Sequence, residues 1–298
     1  VVTAPPYYPE WRISEEFDYG YTTSTDTSGV TIYRCPLYVP AKITTLRRLL
    51  HLSSFAITSA FRLFSLWRVK PEVLFLVQPT LFCAPFALLF CKLRGTKSIL
   101  HIQDYEIDAM FGLGLGQSGF IKKMVKGIER WLMSKFDVVS SISYSMLDNA
   151  RSKGVPDEKL LFFPNWADTN FVNPDVDSSA LRAEWGFAED DKIVLYSGNL
   201  GQKQGLEIII DAALAFQEQP KIKFVIIGSG AYRETLEQMA ADKGVSSIQF
   251  KPLQPWELVP QILVMADVHL VVQKKGVADA VLPSKLTNIL AAGGHALV

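Results

Sequence analysis

Short apolar runs alternate along this chain with longer stretches in which apolar side chains recur every three or four positions. The runs Thr31–Tyr33, Val73–Val77, Ile99–Ile102, Val138–Ile142, Leu160–Phe163, Ile193–Tyr196, Phe224–Ile227, Ile248–Phe250 and Val268–Val272 predict strands. Several are continuous and β-branched, the pattern of parallel strands covered on both faces. Helical periodicity runs through Ile121–Ser134, Leu206–Gln217 and Ala231–Lys243. This alternation predicts a doubly wound α/β fold, a parallel sheet with helices on both faces.

The pattern runs twice. Polar, proline-bearing Asn173–Ser179 interrupts it, and a new strand starts at Ile193. The expected organisation is a first domain over 1–172, a linker over 173–180 and a second domain over 181–298, with a ligand cleft at the carboxyl ends of the strands. Asp175-x-Asp177 has the spacing of a metal pair, but its place in the linker favours a structural role. Val1–Thr3 reads as the end of a strand and His295–Val298 as the start of one, so both ends are expected to fall inside folded structure. Val73–Phe90 is about long enough to cross a bilayer. Gln78-Pro79-Thr80 and Pro85 break it, which predicts a buried strand and then a helix.

Composition narrows the classes. Of 298 residues, 49% are hydrophobic, enough for a large core and too many for a disordered chain or a coiled coil. Thirty basic residues balance thirty acidic ones, so no net charge draws the chain to nucleic acid. Cys35, Cys83 and Cys91 are too few and too scattered for a disulfide framework. Four histidines, none in an HExxH-type pair, predict no dedicated metal site. The charge is uneven: residues 1–172 carry 19 basic and 15 acidic side chains, and the remainder 11 and 15. Lys42–Lys70 holds no acid and interleaves Arg47 and Arg48 with Leu, Phe and Trp. It reads either as a membrane-surface element or as a helix packed on a sheet.

Three loops carry candidate anion chemistry. Strand Ile193–Tyr196 runs into Ser197-Gly198-Asn199-Leu200-Gly201-Gln202-Lys203-Gln204-Gly205 and a helix. Strand Phe224–Ile227 ends in Gly228-Ser229-Gly230. Strand Val268–Val272 feeds a small-residue loop that reaches Pro283-Ser284-Lys285 at a helix start. Helix N-termini and glycine turns present backbone N–H groups to anions. The loop after Ile193–Tyr196 matches neither GxGxxG nor GxxxxGK[ST]. In the first domain, Ile99–Gln103 ends at Asp104-Tyr105-Glu106, placing those side chains at the carboxyl edge of the sheet. Asp104 and Glu106 are candidates to orient an acceptor hydroxyl or take its proton, with helix capping as the alternative for Asp104. His101 reads equally as catalytic or as a hydrogen-bonded core residue.

Pro283-Ser284-Lys285-Leu286 followed by Leu290-Ala291-Ala292-Gly293 resembles the nucleotide-sugar site of GT-B glycosyltransferases of family 4. Val139–Ser143, Phe163-Pro164-Asn165-Trp166-Ala167-Asp168, Tyr196–Leu200 and Ile227–Gly230 follow the family's order. Blocks Thr3–Trp11, Leu100–Glu106 and Val272–Lys285 resemble its fucose-transferring branch in exopolysaccharide (colanic-acid-like) biosynthesis. The resemblance implies two Rossmann-like domains facing across a cleft, with elements beyond both ends of this chain. It implies a retaining, metal-independent transfer from a nucleoside diphosphate sugar, GDP-L-fucose, to a lipid-diphosphate-linked saccharide at the inner face of the cytoplasmic membrane, with no cofactor beyond the donor. Donor contacts are implied for Gly198, Asn199, Lys203, Gln204, Gly228, Ser229, Leu253, Lys275, Leu282, Pro283, Ser284, Lys285 and Asn288. Asn199 stands where the family has Arg, and Asn288 where it has the second of two glutamates. The competing functions are a non-catalytic membrane-associated component of a polysaccharide assembly and an NAD-dependent oxidoreductase.

Overall fold

Parallel pairing dominates the chain. Its structure, a computed structural model, describes residues 1–7, 11–42, 44–78, 81–105, 107, 119–272 and 284–298, except for the side chains at 45, 121 and 203. Two units follow each other, Val1–Pro164 and Asn165–Val298. The polar segment 173–180 lies inside the second, directly after the buried Val172.

The first unit opens with β1 (Val2–Thr3), β2 (Thr22–Thr25) and β3 (Thr31–Arg34), a three-stranded sheet ordered β1-β3-β2. Here the all-parallel expectation needs correction, because β2 runs antiparallel to β3. The turn between them is built by Asp26, whose carboxylate accepts the N–H groups of Ser28 and Val30, each at 2.9 Å, while Gly29 takes φ +84°. The hairpin is illegible by hydrophobicity because β2 is Thr-Thr-Ser-Thr.

Then come α1 (Thr45–Ser65), β4 (Val73–Gln78), α2 (Ala84–Arg94), β5 (Lys97–Ile102), α3 (Gly119–Lys135), β6 (Val138–Ser141), α4 (Tyr144–Ser152) and β7 (Leu160–Phe162). Strands β4-β5-β6-β7 form a parallel sheet in sequence order. Thr44 and Ser143 cap α1 and α4 with side-chain oxygens, and α2 stops at Gly95 in the left-handed region. The expected full burial of Val73–Val77 is corrected too: Val73, Phe75 and Val77 are 48%, 46% and 44% exposed, and only the opposite face of β4 turns inward. No helix among the described residues is long and apolar enough to cross a membrane. Cys35, Cys83 and Cys91 are buried and form no disulfide among the described residues.

The second unit contains α5 (Ser179–Glu184), β8 (Lys192–Ser197), α6 (Glu207–Ala215), β9 (Ile222–Ile227), α7 (Arg233–Asp242), β10 (Ile248–Lys251), α8 (Val259–Val264), β11 (Val268–Leu270), α9 (Lys285–Ala291) and β12 (Ala296–Leu297). Its parallel sheet is ordered β10-β9-β8-β11-β12. The order reverses between β8 and β11, and the crevice outside their carboxyl ends is where such sheets take ligands. Helices pack on both faces: Leu206, Ile210 and Leu236 lie with Tyr196 and Phe224 on one, and Leu181, Trp185 and Ile262 with Ile193 and Val225 on the other.

One device recurs in both units. Asp137, just before β6, accepts the Ser98 backbone N–H at 2.8 Å and its hydroxyl at 2.9 Å, with Lys97 beside it. Asp267, just before β11, accepts the Ile193 N–H at 2.9 Å and the Lys192 ammonium at 2.9 Å. Each carboxylate ties the start of its strand to the second residue of the neighbouring strand. The Ser98 N–H is the main cause holding the Asp137 carboxyl below the usual range. For Asp267 partial burial pushes upward, but the Lys192 and Ile193 hydrogen bonds prevail and the net direction is down. A depressed carboxyl stabilises the fold above its unfolded pKa and loses that contribution as pH falls through the folded value. Asp137→Ala and Asp267→Ala should therefore each cost about 1–2 kcal/mol in urea melts at neutral pH, with the deficit shrinking toward pH 3.

Candidate donor site and a carboxylate edge

The two loops at the crevice are locked by backbone contact. Gly198 N–H bonds Ile227 O at 2.9 Å, Leu200 N–H bonds Ser229 O at 2.9 Å, and Tyr232 N–H returns to Leu200 O at 3.0 Å. Gly228 and Gly230 take φ +151° and +157°, and a Cβ there would stand 1.8 Å from Gly198 O and 2.2 Å from Leu200 O. The Gly-Ser-Gly loop is thus a buttress for the loop after β8, a stricter demand than an ordinary tight turn makes. Gly198 itself faces a cation: a Cβ at Gly198 would lie 3.0 Å from Lys285 Nζ.

Lys285 is the first residue of α9, and its ammonium sits 4.1 Å from the centre of the Tyr196 ring. It makes no ion pair with a described residue. Burial lowers its pKa to about 8, and burial raises that of the Tyr196 phenol to about 12. The Tyr196 hydroxyl donates to Asn199 O at 2.9 Å, which holds the ring under the ammonium. A partly desolvated cation beside a glycine turn and a helix start is arranged to receive an anion.

The other predicted donor residues distribute as follows. Gln204 Oε1 is buried without a partner, and both it and the Asn199 amide lean over Gly201, which has no side chain to block them. Asn199, Ser229, Ser284 and Leu253 are exposed, and Asn288 is half-buried in α9. Lys203 lies in a 3-10 turn, Gln202–Gln204, its side chain outside the described residues. Lys275, Leu282 and Pro283 lie outside them altogether, as does Glu106. Tyr196 was missed as a site residue. Its signal was a lone phenol ending an otherwise aliphatic strand, two residues before the Ser-Gly turn's glycine.

In the first unit the candidates at the end of β5 separate. His101 is buried; its Nδ1 lies 2.9 Å from Ser140 Oγ, and its Nε2 accepts from the Gln103 amide at 2.8 Å. Phe75 and Phe163 cover the ring at 5.2 and 5.5 Å, and burial lowers its pKa, so it is neutral and both nitrogens are engaged. Asp104 is different: Oδ1 is buried with no hydrogen-bond partner among the described residues, burial raises the pKa, and the Arg48 guanidinium partly opposes that rise. Arg48, expected to face a membrane, is therefore also part of the electrostatics of this edge. Arg47 is exposed, near the carbonyl of Lys42 at 3.5 Å. Asp177 accepts the Ser179 N–H at 2.9 Å and so serves the start of α5. No cluster of three metal-ligating side chains occurs among the described residues.

Two α/β units, each built on a parallel sheet, are the architecture of GT-B glycosyltransferases, and the comparisons with known proteins place the chain in that class. Residues 177–298 match the family described as Glycosyl transferases group 1, and residues 1–166 match the Glycosyl transferase 4-like domain. WcaI of Escherichia coli (strain K12), named for a glycosyl transferase role in colanic acid biosynthesis, is 48% identical over 303 residues, covering 100% of this chain and 74% of WcaI. A GDP-mannose-dependent alpha-(1-6)-phosphatidylinositol monomannoside mannosyltransferase of Mycolicibacterium smegmatis is 32% identical over 135 residues, 44% of this chain and 35% of that protein. Among solved structures, Anabaena HepE with UDP and glucose superposes at TM-score 0.63 with 15% identity, covering 89% of this chain and 66% of HepE. Sucrose-phosphate synthase from Thermosynechococcus elongatus superposes at TM-score 0.67 with 15% identity, covering 92% and 66%. The chain belongs to the glycosyl transferases group 1 family.

Two substitutions test the crevice. Gly228→Ala drives a methyl into Gly198 O and should cost about 3 kcal/mol or more in a thermal or urea melt, by forcing the loops apart. Lys285→Met should do the reverse for the empty protein. A lysine whose folded pKa is depressed destabilises the fold; the penalty is full below about pH 8 and fades as pH rises to the ordinary value of 10.5. The variant should gain about 1–2 kcal/mol at neutral pH and show no stabilisation by nucleoside diphosphates.

Proposed function

We propose that this chain transfers L-fucose from GDP-fucose to a lipid-diphosphate-linked saccharide in exopolysaccharide assembly, working at the inner surface of the cytoplasmic membrane. The observation that carries the reading is the largely buried Lys285 ammonium beside Gly198 at the β8/β11 crevice, which has no ion-pair partner among the described residues. In the proposed reaction the bond from the sugar C1 to the diphosphate oxygen breaks and its electron pair leaves with the diphosphate. Lys285 and the amides at the start of α9 take up that charge. The acceptor oxygen forms the new bond to C1, with retention of configuration, and its proton passes to Asp104, whose raised pKa suits it to hold one. His101 orients Gln103 and the end of β5 and stays outside proton transfer. Fixed cationic and backbone groups do the electrostatic work, so the transfer is proposed to be metal-independent. The basic, exposed start of α1, with Arg47 and Arg48, is assigned to the membrane side. The Mycolicibacterium relative's name joins a GDP-sugar donor to a lipid acceptor, while HepE was solved with UDP, so the base is the point to test.

A thermal-shift series on this chain with GDP, GDP-fucose, UDP, UDP-glucose and NAD, with and without magnesium, decides it. At a ligand concentration about 100 times Kd, binding adds about 2.7 kcal/mol of stability. The expected result is a metal-independent shift with GDP compounds. A UDP preference would overturn fucose transfer, and a shift with NAD alone would overturn the transferase. A bound diphosphate raises the Lys285 pKa, so GDP affinity should fall as pH rises above about 8, the ammonium's own value.

A further inference from the structure

Tyr105 follows Asp104 directly in the chain and is fully buried. Its hydroxyl donates to the Met146 carbonyl at 2.7 Å, in the first turn of α4. The Lys153 ammonium, at the other end of α4, stands 4.3 Å from the centre of its ring. Lys153 is in turn paired at 2.8 Å with Glu129 of α3, and the two side chains are 9% and 0% exposed. One phenol is thus held at its hydroxyl by the start of α4, on its face by the end of α4, and through Lys153 by α3.

An ion pair this deep is a poor source of stability. Desolvating both charges offsets most of their attraction, and apolar side chains of similar volume often do as well or better. What the pair supplies is geometry. A carboxylate on one helix fixes where an ammonium on the next one stands, and the ammonium fixes the ring.

Asp104 is the residue that needs such a hold. Its Oδ1 is buried with no hydrogen-bond partner among the described residues. Leaving a buried acceptor in that state costs about 1–3 kcal/mol, which the carboxylate would recover by swinging out to water. A residue keeps an unfavourable position only where its surroundings over-determine it. The sheet does not do so here, because β5 ends at Ile102, two residues earlier. The next side chain along the chain does. Neighbouring Cα atoms lie about 3.8 Å apart, so the backbone at Asp104 cannot swing outward without drawing Tyr105 from between its partners.

We propose that Tyr105, Lys153 and Glu129 are positioning residues for Asp104: the buried pair clamps the phenol, and the phenol holds the carboxylate at the edge of the sheet. This rests on the role given to Asp104 in the proposed function. None of the three touches the reacting atoms.

The test follows the titration of Asp104 in the whole chain, without turnover. Urea melts from about pH 3 to about pH 9 are recorded for the parent and for Asp104→Asn, and the difference between the two profiles is the titration of that carboxyl. A raised acid stabilises the fold below its ordinary value of 3.8 and loses that contribution as pH rises through the folded value, so the parent's midpoint should lie above 3.8. The same pair of profiles is then taken in Tyr105→Phe, which keeps the ring and every charge and loses only the hydroxyl bond. The midpoint should fall toward 3.8, and hydrogen exchange at the amides of 104 and 105 should quicken about tenfold. Glu129→Gln with Lys153→Met should lower the midpoint likewise, while its melting temperature holds or rises. Arg48, the charge that opposes the rise, is the same in every variant.

An unchanged midpoint and unchanged exchange in both variants would overturn the clamp. A midpoint that rises when the pair is replaced would overturn it too, since Lys153 would then act on Asp104 as a charge alone. So would a parent profile identical to that of Asp104→Asn, because no carboxyl would then be held in a buried state. GDP should stabilise all of these variants equally, because the donor crevice belongs to the second unit. A chain that titrates as expected and ignores GDP would overturn the donor reading and support the clamp.

Discussion

The close approach of two backbone segments, Gly198–Leu200 and Gly228–Gly230, sets the geometry of the second unit. No side chain fits between them, so the loop after β8 is held by main-chain hydrogen bonds instead of by packing that could adjust. Parallel pairing had already brought the carboxyl ends of β8 and β9 to one edge. The glycine contact converts that edge into a fixed floor. Only then does Lys285 have a place that is both largely buried and adjacent to the turn, over the Tyr196 ring. The ammonium gives up hydration there without a carboxylate partner among the described residues, an arrangement that a bound anion would relieve.

The first unit presents the complementary case. Its carboxyl edge carries Asp104, where burial shifts the acid upward, while Lys285 is shifted downward by the same cause. Both shifts move toward neutrality, so each group is closer to exchanging a proton near physiological pH than its free counterpart. His101 stands one turn of the strand pleat away from that behaviour. Its hydrogen bonds to Ser140 and Gln103 and the rings of Phe75 and Phe163 make it a packed, neutral part of the sheet. His101 and Asp104 are three apart in sequence, but β5 ends at Ile102, so Asp104 lies beyond the pairing that fixes His101 in the sheet.

Elements whose apolar pattern is set by burial were legible before the structure. The strands from β4 to β11 and the helices α3, α6 and α7 fall where periodicity placed them, to within a few residues. The β2–β3 hairpin was not, because four hydroxyl residues carry no hydrophobic signal and the turn depends on one Asp carboxylate. The exposed face of β4 was hidden for the opposite reason, since a run of Val, Leu and Phe reads the same whether one face or both are covered. At the donor loops, the glycines were visible as turn residues but their partner was not. The approach that would put a Gly228 Cβ 1.8 Å from Gly198 O joins positions thirty apart, a contact no local pattern encodes. The paired Asp137 and Asp267 devices were likewise invisible, because the residues they tie together are about 40 and 75 positions apart in sequence.

Helix α1 reaches from the carboxyl edge of the first unit to its outer helices. Its first turn carries Arg48, which acts on Asp104, and its remaining length packs against α2. Burial pushes the Asp104 carboxyl toward holding a proton and the guanidinium pushes it back, so the balance at this edge is set by what else Arg48 meets. On the proposed function, an acceptor diphosphate would be a second anion for Arg48 and would leave burial to raise the carboxyl further.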